Sequence, residues 1–319
     1  MSRIIRVVTT SLATFEDVAP PYNLRHPDPQ DNLRLGLELL DAAGKQRADL
    51  AVLPEGFMAA GAPSARLGEI AQPIPGPAFD AVAERARQYG MYVVAGFYTK
   101  SGDRLYNAAV LMDRSGQLVG TYAKNHPTEG EIAGGVTPGT QVPVFDTDFG
   151  RVGLGICFDI NWQRFWTELK EKGADLVCWI SAYEGGFPLQ VQAWLQQYPI
   201  VTSVWPYHAR VIDITGRVLV STSRWGRIAV CDLNLTKRLF HTDGQADRIL
   251  PIQMRYGSRV RVEALTEEHL FSLESLDPEL GLEEIVSEFG LVDYGTYIDR
   301  CTAAQASAGR FEPATSGHL

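Results

Sequence analysis

Three residues of this chain carry chemistry at places where a folded α/β protein delivers side chains to an edge. Glu55 follows the apolar run of LAVLPEGFM, Lys124 ends the run leading into YAKNHPTEGE, and Cys157 closes RVGLGIC. Open α/β sheets bind ligands beyond the carboxyl ends of their strands. A cysteine at a strand-to-helix turn also meets backbone N–H groups whose partial positive charge favours thiolate. A nucleophile, a carboxylate and a cation together are what acyl transfer needs: attack, proton removal and stabilisation of a developing oxyanion. Singly, each has an ordinary reading as a solvated loop glutamate, a surface lysine or an inert buried thiol. Their conjunction is the signal. If the three strands are neighbours, the groups converge at one edge of one sheet. Cys178 and Cys231, inside CWIS and AVCDL, read as ordinary strand thiols, and His126 as either a hydrogen-bonded loop residue or a base.

The elements that must position these residues are legible as apolar runs. IIRVVTT, DLAVLP, MYVVAGFY, NAAVLMD, VGLGIC, DLVCWI, IVTSVW, HARVID and RIAVCDL read as strands, many apolar on both faces. Helical patterns lie between several of them: 31–44 with Asp31 as its cap and a glycine at its end, 77–90 with proline first and glycine last, 162–173 and 188–197. This alternation predicts a layered α/β fold with helices covering two packed sheets. From Phe240 the pattern changes. The stretch 237–257 has few regular signals, 276–300 reads as one or two short helices, and AAQASAGRFEPATSGHL reads as a mobile or partner-draped tail. The expected division is a domain over 1–240 and a C-terminal extension over 241–319.

Composition excludes several classes. The 319 residues are 45% hydrophobic and 21% charged, as in a globular protein with a substantial core. A net charge of -9 argues against nucleic acid and anionic membrane as partners. Four cysteines without a CxxC pair fit neither a disulfide framework nor a zinc cluster. The first residues acquire charge too early for a secretory signal and no run approaches a membrane span, so the expected location is cytoplasmic.

LPEGF around Glu55, KNHPTEGE around Lys124 and GLGICFD around Cys157, in that order, resemble the nitrilase superfamily of carbon–nitrogen hydrolases, with RVIDITGRVL similar to the family's late hairpin. The resemblance runs from the first strand to about Asp232. It implies a four-layer α-β-β-α sandwich and a triad of Glu55 as general base, Lys124 as cation and Cys157 as nucleophile. It also implies a second glutamate, for which Glu131 matches better than Glu129. The implied reaction is hydrolysis of a small amide, or an N-carbamoyl compound, to an acid and ammonia or an amine through a thioester, with the backbone N–H of Phe158 aiding Lys124 at the oxyanion. It needs no metal or organic cofactor. Homodimers or larger homo-oligomers are implied too, with the extension placed to cross a subunit interface.

Departures from the family pattern bear on the substrate. After Cys157 the chain reads FDINWQRF, and Ile160 and Asn161 stand where the branch cleaving N-carbamoyl-D-amino acids carries carboxylate-holding arginines. The lysine loop leans toward nitrilases and the cysteine loop toward amidases, so a nitrile substrate is the alternative. Tyr183 and Glu184 in SAYEGGFP and Trp205 at the end of IVTSVW are candidate pocket residues, Glu184 for a polar or cationic group. Two other classes remain: a nucleotide-binding protein, suggested by the glycines of GRVGLG but lacking the full spacing, and a catalytically silent oligomerising protein of the same fold.

Overall fold

The computed structural model describes residues 3–13, 18–19, 23–24 and 28–309. Arg3–Leu235 forms one compact unit and the chain from Thr236 a second. In the first unit, β1 (Ile4–Thr10), β4 (Leu50–Val52) and β5 (Tyr92–Ser101) are parallel neighbours. The antiparallel strands β14 (Ile228–Asn234), β6 (Arg104–Met112) and β7 (Leu118–Ala123) complete a sheet ordered β14-β1-β4-β5-β6-β7. A second sheet repeats the plan. Its parallel centre is β9 (Arg151–Ile156), β10 (Leu176–Ser181) and β11 (Ile200–Val204), flanked by β8 (Val144–Asp146), β12 (Arg210–Ile212) and β13 (Val218–Ser221). A two-residue pairing of β2 (Val18–Ala19) with β3 (Asn23–Leu24) stands apart.

Alternation along the central strands accounts for the layering. Val7, Leu50, Val52 and Val94 belong to the core shared with the second sheet, whereas Val8, Ala51, Val93 and Ala95 pack with helices α1 (Pro29–Lys45) and α3 (Pro77–Tyr89). Successive side chains point to opposite faces, so strands buried on both sides read as near-continuous apolar runs unless their polar residues find partners. On the second sheet, Gly153 and Gly155 face α5 (Gln163–Glu171): a Cβ on Gly153 would lie 2.8 Å from Leu169 Cδ2. Gly153 and Gly155 of GRVGLG therefore serve close helix packing and form no phosphate loop. With α6 (Phe187–Gln196) beside α5, the order of layers is α-β-β-α. Hydroxyls also tie the sheets together, as Ser203 Oγ donates to Thr10 O at 2.8 Å. Every strand run expected from the sequence is a strand. The cap of α1 differs: Asp28 accepts from the N–H groups of Gln30 and Asp31, one turn before the expected Asp31, because Pro29 can open the helix. A single helical turn, α2 (Leu67–Ile70), and the short α4 (Glu129–Ala133) complete the unit.

The second unit is more regular than the sequence suggests. β15 (Arg238–His241), β17 (Leu270–Ser275) and β16 (Val260–Leu265) form an antiparallel sheet. With α7 (Ile249–Tyr256) and α8 (Leu282–Glu288) it encloses a core of its own around Phe240, Phe271, Ile252 and Ile285. Helix α9 (Tyr294–Ala308) takes in the first residues of the expected tail, and residues beyond Gly309 lie outside the described part. Among the described residues no helix is long and apolar enough to cross a membrane.

Candidate active site

The first correction at the site concerns its support. Glu55 lies three residues beyond β4 and Lys124 directly beyond β7, both on the first sheet with β5 and β6 between them. Cys157 directly follows β9 on the second sheet. The groups therefore converge across the gap between two sheets, not along one edge of one. Sheets stack about 10 Å apart, a span that long side chains cross.

Glu55 sits where the backbone crosses its neighbour strand closely. A Cβ on Gly96 of β5 would lie 2.5 Å from Pro54 O and 2.6 Å from Glu55 Cα, so only glycine lets this loop down onto the sheet. The Glu55 carboxylate is buried, 2% exposed. Its Oε1 accepts from Lys124 Nζ at 2.8 Å and Asn107 Nδ2 at 2.6 Å, and its Oε2 accepts from the Ala182 N–H at 2.9 Å. Trp205, expected as a pocket wall, donates its indole N–H to Glu55 O at 2.6 Å and so pins the backbone of that residue.

Lys124 is 1% exposed and donates a second bond to Glu131 Oε2 at 2.7 Å. Glu129 is exposed, so of the two glutamates in the loop only Glu131 enters the site. A capping box explains why: Thr128 Oγ1 accepts from the Glu131 N–H, and the Glu131 carboxylate accepts from the Thr128 N–H at 2.9 Å. The T-x-x-E spacing was thus a readable signal for the choice. Asn107 on β6 donates to Glu131 Oε1 at 2.7 Å, which closes a ring of Glu55, Lys124, Glu131 and Asn107. Burial alone would lower the Lys124 ammonium, but Glu55, Cys157 and Glu131 hold it well above the ordinary lysine value. Burial likewise works to raise the Glu131 carboxyl, yet the charge of Lys124 and the bonds from Lys124, Thr128 and Asn107 hold it below the usual range.

Cys157 adopts φ 48°, in the left-handed region that non-glycine residues rarely occupy, between β9 and a short 3-10 turn over Cys157–Asn161. Two anchors hold it there. Trp179 Nε1 donates to Cys157 O at 3.1 Å. Asp159, fully buried, accepts from the Ile156 N–H at 3.0 Å, the Tyr122 hydroxyl at 2.7 Å and the His126 N–H at 3.1 Å, and pairs with His126 Nδ1 at 2.7 Å. One carboxylate therefore joins the cysteine turn to the lysine loop. Sequence reading did not single out Asn107, Asp159 as an anchor, or Ser181, whose hydroxyl accepts from the Tyr183 N–H at 3.0 Å.

Burial, then the charge of Glu55, pushes the Cys157 thiol well up, against the pull of Lys124 and Ser181. Burial thus works against the thiolate that the turn was expected to favour. Tyr183 is half-buried, edge-on to Trp179 at 5.6 Å, and its phenol is pushed up to about 12 by burial and by the charges of Cys157 and Glu55. Phe158 is exposed beside Trp162, and Glu184 is half-buried outside the ring of charges. Among the described residues no cluster of three His, Cys, Asp or Glu side chains could hold a metal ion.

A family model of carbon–nitrogen hydrolases matches residues 18–239. The chain is similar to a human protein named deaminated glutathione amidase, 30% identical over 173 residues that cover 49% of this chain and 53% of that protein. It is also similar to an omega-amidase NIT2 of Bos taurus, 32% identical over 168 residues, 50% of this chain and 59% of that one. The chain thus spans little more than half the length of these curated relatives. An amidase from Nesterenkonia sp. superposes with a TM-score of 0.63 at 21% identity, over 73% of this chain and 91% of that one, a likeness of fold.

Proposed function

Since the chain belongs to the carbon–nitrogen hydrolase family of the nitrilase superfamily, we propose that it hydrolyses a small amide to an acid and ammonia or an amine, through a thioester on Cys157. The observation that carries this reading is the buried Glu55–Lys124–Glu131 ring set against a cysteine held in a strained turn. Glu55 takes the thiol proton as sulfur attacks the amide carbon. An ammonium has three donors, and two of those on Lys124 are committed to Glu55 and Glu131. The third is left for the oxyanion, joined by the Phe158 N–H at the start of the turn, where helical N–H groups lack internal partners. Glu55 then protonates the leaving nitrogen and the thioester forms. Water, giving its proton to Glu55, attacks the thioester, and the proton returns to sulfur as the acid departs. Glu131 orients Lys124 through both steps. Tyr183 and Glu184 face the substrate, Glu184 as the contact for a polar or cationic tail.

Ammonia release from a panel of amides and nitriles, wild type against Cys157→Ala, tests the reading. Release from amides by the wild type and none by the variant is expected. Release from nitriles alone would move the assignment to a nitrilase, and silence on the whole panel would remove the enzymatic reading. The same proposal includes a reducing compartment, consistent with four free cysteines, and a homo-oligomer with the C-terminal unit at its interface. Supporting the latter, Leu250 and Met254, one turn apart on α7, are 63% and 78% exposed. Leu250→Glu with Met254→Glu is expected to reduce the mass seen in light scattering, and an unchanged mass would exclude this face.

A further inference from the structure

The ring contains two carboxylates and one ammonium, so one negative charge has no cation opposite it. Asn107 occupies that position. It is fully buried on β6, and its Nδ2 lies 2.6 Å from Glu55 Oε1 and 2.7 Å from Glu131 Oε1, with the Tyr98 hydroxyl farther off at 3.4 Å. A primary amide has two N–H donors, and the two short contacts account for both. Its Oδ1, also buried, has no hydrogen-bond partner among the described residues. Turning the amide over would set that oxygen against two carboxylates, so the orientation is determined although the acceptor goes unsatisfied. Leaving a buried acceptor unpaired is unfavourable and is retained where the group serves another purpose. Asn107 O also accepts from the Lys124 N–H at 2.8 Å, which places amide and ammonium in one register.

We propose that Asn107 is a positioning residue that keeps Glu55 and Glu131 both ionised, so that the proton needed for catalysis stays on the Cys157 sulfur and Glu55 remains free to accept it. This rests on the amide-hydrolase reading above. Two carboxylates held near one another without enough donors respond by sharing a proton. A proton held between Glu55 and Glu131 would block Glu55 as a base. Lysine supplies one charge, and asparagine supplies two neutral donors without adding a second cation that would compete for the oxyanion. Among the described residues, the other titratable groups facing the ring are Tyr98 on β5, Cys157 after β9 and Tyr183 after β10. Burial pushes all three phenol and thiol groups up, so none titrates in the acid range.

The test compares full-length wild type with Asn107→Asp, which keeps the shape but removes both donors, and Asn107→Leu, which is apolar. Two pH profiles are measured on each: kcat/KM for a short aliphatic amide, and the rate of Cys157 alkylation by iodoacetamide. The acid limb of both profiles is expected to move upward by about one pH unit or more, further in Asn107→Asp, with roughly tenfold lower turnover near the limb. Limbs that stay in place while rates fall uniformly would reduce Asn107 to a packing role and overturn the proposal. If Asn107→Leu does not fold by circular dichroism, the isosteric variant decides. If the wild type hydrolyses no amide, the functional reading fails, and the alkylation profile still decides the role of Asn107.

Discussion

At the scale of single residues, the site is a problem of charge in a dry place. Glu55, Lys124 and Glu131 are almost fully buried, and each is tolerable there only because the others are present. Replacing Lys124 with methionine should therefore act twice. Loss of an oxyanion donor is expected to remove about 2.7–4 kcal/mol of transition-state stabilisation, a fall of roughly 10²–10³ in kcat. Leaving the carboxylates without their cation is expected to destabilise the fold by about 3–5 kcal/mol. Steady-state kinetics and urea unfolding of the same variant read the two effects separately. A Lys124→Met protein with undiminished kcat would remove lysine from the reaction.

At the scale of elements, the question is what holds a cysteine at φ 48°. The answer is the buried Asp159 carboxylate, which collects donors from β9, β7 and the lysine loop. Asp159→Ala is expected to lower stability by about 2–3 kcal/mol, because it strands buried donors, and to lower kcat more than it raises KM. Thermal melts and kinetics on one amide check both, and a variant with unchanged kcat would show that the turn holds itself. Glu55 and Cys157 were legible because each follows a run of apolar residues left by a strand buried on both faces, whereas Lys124 follows β7, a largely half-exposed strand, and was legible through its loop motif. Asn107 and Asp159 were not, since one polar residue at a strand or turn looks alike whether it anchors a site or merely tolerates burial. The second sheet's edge strand β8 and the strands beyond Thr236 were also hidden. β17 is wholly buried yet carries Ser272, Glu274 and Ser275, and Glu274 is admissible there because Arg261 pairs with it at 3.0 Å. Polar residues matched by tertiary partners erase the apolar run by which a strand is recognised.

At the scale of the whole molecule, the buried thiols and phenols give stability a dependence on alkaline pH. Burial raises Cys157 and Cys178 from an ordinary 9.0, and Tyr98, Tyr122 and Tyr198 from an ordinary 10.0. The unfolded chain gives up these protons first, so unfolding releases protons above pH 9. Their contribution is complete below that pH and is lost as pH rises. Tm is expected to be flat from pH 7 to 9 and to fall steadily above, and a Tm that holds to pH 11 would mean that these groups are not dry. Glu131 acts at the other end: its lowered carboxyl contributes stability above the ordinary 4.5, lost as pH falls below it.

The central claim is that sulfur becomes acylated. Wild-type protein mixed with a slowly hydrolysed amide, quenched in acid within the first turnover and digested, should yield a peptide containing Cys157 heavier by the acyl group, the mass of the amide less ammonia. Cys157→Ala should yield no adduct and release no ammonia. Ammonia release by Cys157→Ala, or an acyl group found on another residue of the wild type, would contradict the account.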